Sequence, residues 1–260
     1  MNITYKSPAE IASMKIGGQI LGKILLELAK MACPGMTTRH LDQKARELLK
    51  QYGAKASFLG YHGFPGVLCT PVNEEVVHTI PNERPLKDGD LLTLDFGVIY
   101  DDLHTDSAIS IGIGKIDGKK KKLIQTAETA LAAAISKAGP GIPVKTLSHE
   151  IQKTIEQNGY SVIRELIGHG VGKNLHEDPP IPNFEADAPD FKLRPGMTIA
   201  IEPIFSAGKR GIKTLEDNWN IVTMDGSLAI QVEHSIAITE KGCEVLTKRE
   251  ALDPVYQNFA

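Results

Sequence analysis

Cysteine is scarce in this chain of 260 residues, and Cys33, Cys69 and Cys243 show no metal-ligand spacing. An odd, scattered set argues against a disulfide framework and for a reducing compartment, the cytoplasm. Charge of one sign is missing too. A net charge of −3 gives no electrostatic footprint for nucleic acid or an anionic membrane. The Lys119–Lys122 run is the one locally basic stretch, and it reads as the solvated face of a helix. No apolar run approaches 18 residues, which excludes a helical membrane span, and the first residues, MNITYKSPAEIASMK, lack the apolar core of a signal peptide. No low-complexity linker divides the chain. What remains is an ordinary globular composition, 42% hydrophobic and 23% charged, which predicts a single domain over 1–260.

Four segments with strand periodicity each carry one carboxylate among small or polar residues. In LLTLDFGV, Asp95 alternates with Leu94 and Phe96 and shares a face with Thr93 and Gly97. In HTDSAISIGI, Asp106 lies with Ala108 and Ser110, opposite Ile109 and Ile111. In MTIAIEPIF, Glu202 lies with Thr198 and Ala200, opposite Ile199 and Ile201. In AIQVEHSIAIT, Glu233 lies with Gln231 and Ser235, opposite Val232 and Ile236. A single acid in a strand ordinarily faces solvent. Four on matching small-residue faces predict a convergent cluster, which repulsion and desolvation would forbid without a positive partner. Divalent metal ions supply one.

The chain also repeats itself. Pro34-Gly35, Leu41 and Gly53 recur 106 positions later as Pro140-Gly141, Leu147 and Gly159. At an offset of 107, His62 aligns with His169, Gly89 with Gly196, and Asp95 with Glu202. This predicts two duplicated halves, roughly 8–117 and 118–245, about a pseudo-twofold axis. Helices are expected from Ser7 as N-cap, over 37–53 ending at Gly53, and at about 119–138 and 143–158. NFEADAPDF leads into the last strands. The expected architecture is α/β (α+β), helices outside a curved, mostly antiparallel sheet.

Histidines complete the pattern. His169 and His176 sit seven apart in GHGVGKNLHEDP, where glycines predict an irregular or bulged backbone that aims each ring separately. His78 lies in NEEVVHTIP. The ordered set His78, Asp95, Asp106, His169, His176, Glu202 and Glu233, within NEEVVHTIP, LDFG, HTDSA, GHGVGKNLHEDP, IEP and VEHS, closely resembles the methionine aminopeptidases of the short bacterial type I form. The resemblance spans essentially the whole chain and implies the pita-bread fold.

It also implies a site. Asp95 would bind one of two divalent ions, Asp106 and Glu233 would bridge both, and His169 and Glu202 would complete the second. This hard, oxygen-rich set suits Mn, Fe or Co better than a thiolate-rich zinc site does, with Zn or Ni also conceivable metals for it. Such a pair can activate a shared water. The resemblance makes Glu202 the proton shuttle, His176 the oxyanion partner, and His78 a contact to the scissile amide. It places Tyr61, Cys69 and Trp219 in a methionine pocket with Phe58, Phe64 and Leu175, which stand where the bacterial pattern commonly has cysteine, tyrosine and phenylalanine. The implied activity is removal of initiator methionine from nascent polypeptides when the second residue is small, by a cytoplasmic monomer with possible ribosome contact. The same selectivity implies that Met1 before Asn2 is retained. Two alternatives stay open: an Xaa-Pro-type peptidase of the same fold, and a non-catalytic peptide-binding relative.

Overall fold

The computed structural model describes residues 1–185 and 191–249, so part of the NFEADAPDF segment lies outside the described residues. Among the described residues there are four α-helices, three of which open on a side-chain cap. Helix α1 (Pro8–Met31) opens on a capping box in which Ser7 and Glu10 satisfy one another's backbone N–H groups, with Pro8 in the first turn. Helix α2 (Thr38–Gln51) is capped by Thr37, and α3 (Gly118–Lys137) by Asp117. Helix α4 (Val144–Gln157) follows Pro143.

Every pairing between named strands is antiparallel. In the first half, the strands Leu91–Tyr100 and Leu103–Gly112 form a hairpin. Its tip, Asp101-Asp102, has φ 51° and 54°, the left-handed pair a two-residue turn of the right twist requires. In the second half, His234–Thr239 lies between Gly242–Val245 and Thr198–Ile201, and the sheet continues to Gly168–Gly170 and Glu177–Ile181.

The apolar strand faces are covered as their periodicity predicts. Leu92, Leu94, Phe96, Val98, Ile109 and Ile111 pack with Leu21, Ile24, Leu25 and Leu28 of α1 and Leu41 and Leu48 of α2. Ile199, Ile201, Val232, Ile236 and Ile238 pack with Leu123, Leu131, Leu147 and Ile151 of α3 and α4. Between these two cores the sheets are stitched by serines. Ser235 Oγ accepts from Asp106 N and donates to Asp106 O, Ser107 Oγ donates to Glu233 O, and Ser110 Oγ donates to Gln231 O.

Two expectations are corrected. Glu202 and Glu233 do not lie within strands. One strand stops at Ile201 and the next begins at Ile204; another stops at Gln231 and the next begins at His234. The cause is a change of partner. Thr198–Ile201 pairs with His234–Thr239, whereas Ile204–Ser206 pairs with Ala229–Gln231. Each acid sits where the chain passes from one sheet to another. Pro203 has no N–H for a ladder, and the N–H of Glu233 goes instead to Ala108 O at 2.9 Å.

Candidate metal centre

A cavity of about 650 Å³ opens between the two cores, and Asp95, Asp106, His169, Glu202 and Glu233 all line it. The four acids are buried. Burial raises each of them above the ordinary carboxylate range, Asp95 to about 7. For Asp106, Glu202 and Glu233 the neighbouring carboxylates push further in the same direction. Asp95 Oδ1 and Glu233 Oε1 accept no hydrogen bond from the described residues. A buried acceptor left this way is costly, and two in one cluster of like charges mark a place built for a cation. Ligand atoms of Asp106, His169 and Glu233 lie within 4.8 Å of one another.

His169 has the right form for such a site. Burial lowers its pKa to about 4, so the ring is neutral. Its Nδ1 lies 2.8 Å from Gly170 O, and a carbonyl can only accept, so the proton resides on Nδ1. The lone pair is then on Nε2, which lies 3.6 Å from Glu202 Oε1. The aim comes from backbone irregularity. The register shifts between Gly168 and Gly170 as that strand pairs with Glu177–Ile181, the bulge that the glycines predict.

His176 stands beside His169, ring centroids 4.3 Å apart, and its Nδ1 lies 2.7 Å from the Tyr61 hydroxyl. Burial and the surrounding histidines lower its pKa to about 3, while burial raises that of the phenol. Both groups are therefore neutral, and with the phenol as donor the imidazole proton lies on Nε2. His78 has φ 60°, a left-handed conformation uncommon outside glycine and found where structure over-determines it. Its ring is edge-on to Trp219 at 6.5 Å.

The predicted pocket residues come together. Phe58, Phe64, Cys69 and Leu175 form a buried apolar cluster, with Tyr61, Ile80 and Trp219 packed against it. Phe64 and Trp219 meet edge to face at 5.1 Å. Asp217 Oδ1 accepts from the N–H groups of Trp219 and Asn220 and fixes the turn that carries the indole. Phe58 needs Gly97 beneath it, since a Cβ there would stand 2.8 Å from the ring. Burial, then Asp95, keeps the Cys69 thiol protonated, so it serves as apolar wall.

Sequence reasoning missed Gln231 as a site residue, although it shares the face of Glu233. Its Nε2 donates to Glu202 Oε2 at 3.2 Å. It also missed the Tyr61–His176 bond and His62 on the cavity wall; only the alignment of His62 with His169 hinted at the latter.

The model for metallopeptidase family M24 matches residues 12–240. Methionine aminopeptidase 1 of Bacillus subtilis is 45% identical over 246 residues, 95% of this chain and 99% of that protein. The crystal structure of methionine aminopeptidase from Thermotoga maritima superposes with a TM-score of 0.92 at 42% identity, covering 95% of this chain and 99% of that one. The prolidase of Pyrococcus horikoshii shares the fold, with a TM-score of 0.76 at 24% identity, but only 63% of that chain is covered.

Proposed function

The chain belongs to metallopeptidase family M24 and has its pita-bread fold, and from that premise we infer that it is a metal-dependent aminopeptidase that removes the initiator methionine of nascent proteins. The observation that carries this is the buried cluster of four carboxylates around a neutral His169, with two oxygens that no described residue donates to.

Asp95, Asp106, His169, Glu202 and Glu233 would hold divalent ions. When bound, such ions act as Lewis acids and lower the pKa of a coordinated water. The rest of the chemistry belongs to side chains. Glu202 moves the proton: one oxygen is anchored by Gln231, and the other faces His169. Ordinary glutamate is too weak a base for this, and burial beside Asp95 shifts Glu202 in the useful direction. His176, locked by Tyr61 with its proton on Nε2, donates to the oxyanion of the scissile carbonyl. His78 contacts the amide from the other wall. Phe58, Phe64, Cys69, Leu175 and Trp219 surround the methionine side chain, whose thioether suits aromatic edges.

Selectivity for a small second residue, cytoplasmic residence, a monomeric state and ribosome contact belong to the same proposal, on the resemblance of the ordered motifs. So does internal duplication. Its support is that Gly89 and Gly196 both have φ 89°, Gly35 and Gly141 have 89° and 81°, and Gly53 and Gly159 have 65° and 83°. The functional test is substrate choice. With Mn²⁺ or Co²⁺ added, the protein should release methionine from Met-Gly-Met and leave Gly-Pro and other Xaa-Pro dipeptides intact. Preferential Xaa-Pro cleavage would instead establish the prolidase-type activity.

A further inference from the structure

Helix α1 contains Gly17, Gly18 and Gly22, residues unfavourable in a helix interior unless something needs their lack of a side chain. A Cβ at Gly22 would stand 2.5 Å from Lys248 O, and one at Gly18 would collide with Leu246 O. The backbone of 246–248 therefore lies in a groove of α1. Its other side is tied to the strand His234–Thr239. Leu246 N donates to Ser235 O at 2.9 Å, Thr247 Oγ1 accepts from Ser235 N at 3.1 Å, and His234 Nδ1 lies 2.8 Å from the same hydroxyl.

This clamped segment delivers Arg249 to the rear of the carboxylate cluster. Nη1 donates to Ala108 O at 2.9 Å, to Ser107 Oγ at 3.0 Å and to Glu233 O at 3.4 Å. Nη2 lies 3.2 Å from His234 Nε2. Ser107 itself donates to Glu233 O, and its own N–H is held by Asp106 Oδ1 at 3.0 Å. One planar guanidinium thus joins the strand bearing Asp106 to the strand break bearing Glu233. At such a break no ladder fixes the backbone, so another group must. Arg249 does not line the cavity and meets neither carboxylate of these two acids through its side-chain oxygens.

We propose that Arg249, seated by the glycine groove of α1, is a positioning residue that sets the relative placement of Asp106 and Glu233 and so the affinity and geometry of the metal centre. The inference rests on the metal-dependent reading of the site. Lysine does not replace it, because one ammonium cannot meet the acceptors of Nη1 and His234 Nε2 together, as the two nitrogens of the guanidinium do.

The test uses full-length parent, Arg249→Gln, Arg249→Lys and Gly22→Ala proteins. Mn²⁺ affinity is measured by calorimetry on stripped protein, the visible spectrum is recorded with Co²⁺ loaded, and kcat and KM are measured on Met-Gly-Met. Both Arg249 variants should bind Mn²⁺ about 10- to 100-fold more weakly, the usual cost of losing a group that orients ligands. Their Co²⁺ bands should shift, and kcat should fall while KM changes less. Gly22→Ala should move the same readouts with Arg249 still present. Parent-like Mn²⁺ affinity and Co²⁺ bands in Arg249→Lys and Arg249→Gln, whatever happens to Tm, would overturn the proposal by making the role merely structural. If Arg249→Gln does not fold, Arg249→Lys and Gly22→Ala decide. A parent that binds Mn²⁺ but hydrolyses no methionyl peptide would overturn the functional reading alone, and the affinities would still decide the role of Arg249. A parent that binds no cation would overturn both.

Discussion

His176 and Tyr61 show how much of the chemistry rests on single atoms. The 2.7 Å contact with the phenol fixes the ring, and with Tyr61 as donor the proposed oxyanion contact falls to Nε2–H. His176→Ala should lower kcat by ~10²–10³, as for other oxyanion donors, with a smaller change in KM. A change confined to KM would make His176 a binding residue. The acids give a second prediction. In the folded chain without a cation, Asp95, Asp106, Glu202 and Glu233 hold protons to higher pH than they do unfolded. The stability this lends is full below the ordinary carboxylate pKa and is lost as pH rises through the folded values, about 7 for Asp95. His169 and His176 act oppositely, since their pKa values are lowered to about 4 and about 3; their contribution is lost as pH falls below the ordinary histidine value. His78, His104 and His234, which burial shifts the same way, add to this, and the carboxylate trend stands alone only above about pH 7.5, a unit beyond the ordinary histidine value. Chelator-stripped protein should melt ~2–4 °C lower at pH 8.5 than at about pH 7.5, the shift ~1 kcal/mol brings at this size, and Mn²⁺ should abolish the difference. An unchanged Tm would mean that the acids are not held together as described. The acids themselves were legible in the sequence because strand periodicity places each opposite an apolar run. Gln231 and Tyr61 were not, as partners of Glu202 and His176. Their contacts join residues 29 and 115 positions apart, and no local pattern encodes them.

Among the elements, the glycine bulge before His176 is the most exposed to test. A Cβ on Gly170 would fall against the backbone of Glu177 and Asp178, closer than any side chain is tolerated. Gly170→Ala should therefore destabilise the fold by ~1–3 kcal/mol, as overpacking does, and re-aim His169. The checks are chemical denaturation and Mn²⁺ affinity; a variant with parent-like values in both would show that the bulge does not position the ring. Helices were legible here because caps and periodicity coincide: Ser7, Gly53 and the two later helices fall close to where the sequence puts them. The strands at Glu202 and Glu233 were not, for a definite reason. Alternation in MTIAIEPIF and AIQVEHSIAIT continues through a change of sheet, since each side of the break still buries its apolar residues. Periodicity reports which side chains are buried and is silent on which strand supplies the hydrogen bonds.

At the scale of the whole molecule, two helix-covered cores press their polar strand faces together, and the result is a buried layer of like charge that only cations make sense of. The aromatic side of the cavity is walled by Phe58, Phe64 and Trp219, and the carboxylates are braced from behind by serines and Arg249. The division of labour makes the centre separable from the fold. Asp95→Asn and Glu233→Gln keep size and leave both cores untouched, so each should fold normally. The measurement that bears most directly on the account is a titration of chelator-stripped protein with Mn²⁺, following methionine release from Met-Gly-Met and bound metal together, for the parent and these two variants. Release should be absent without metal and rise in step with occupancy in the parent, while both variants stay nearly inactive at saturating Mn²⁺ with Tm values at or above that of the stripped parent. Methionine release that persists without metal, or near-normal turnover by either variant, would contradict it.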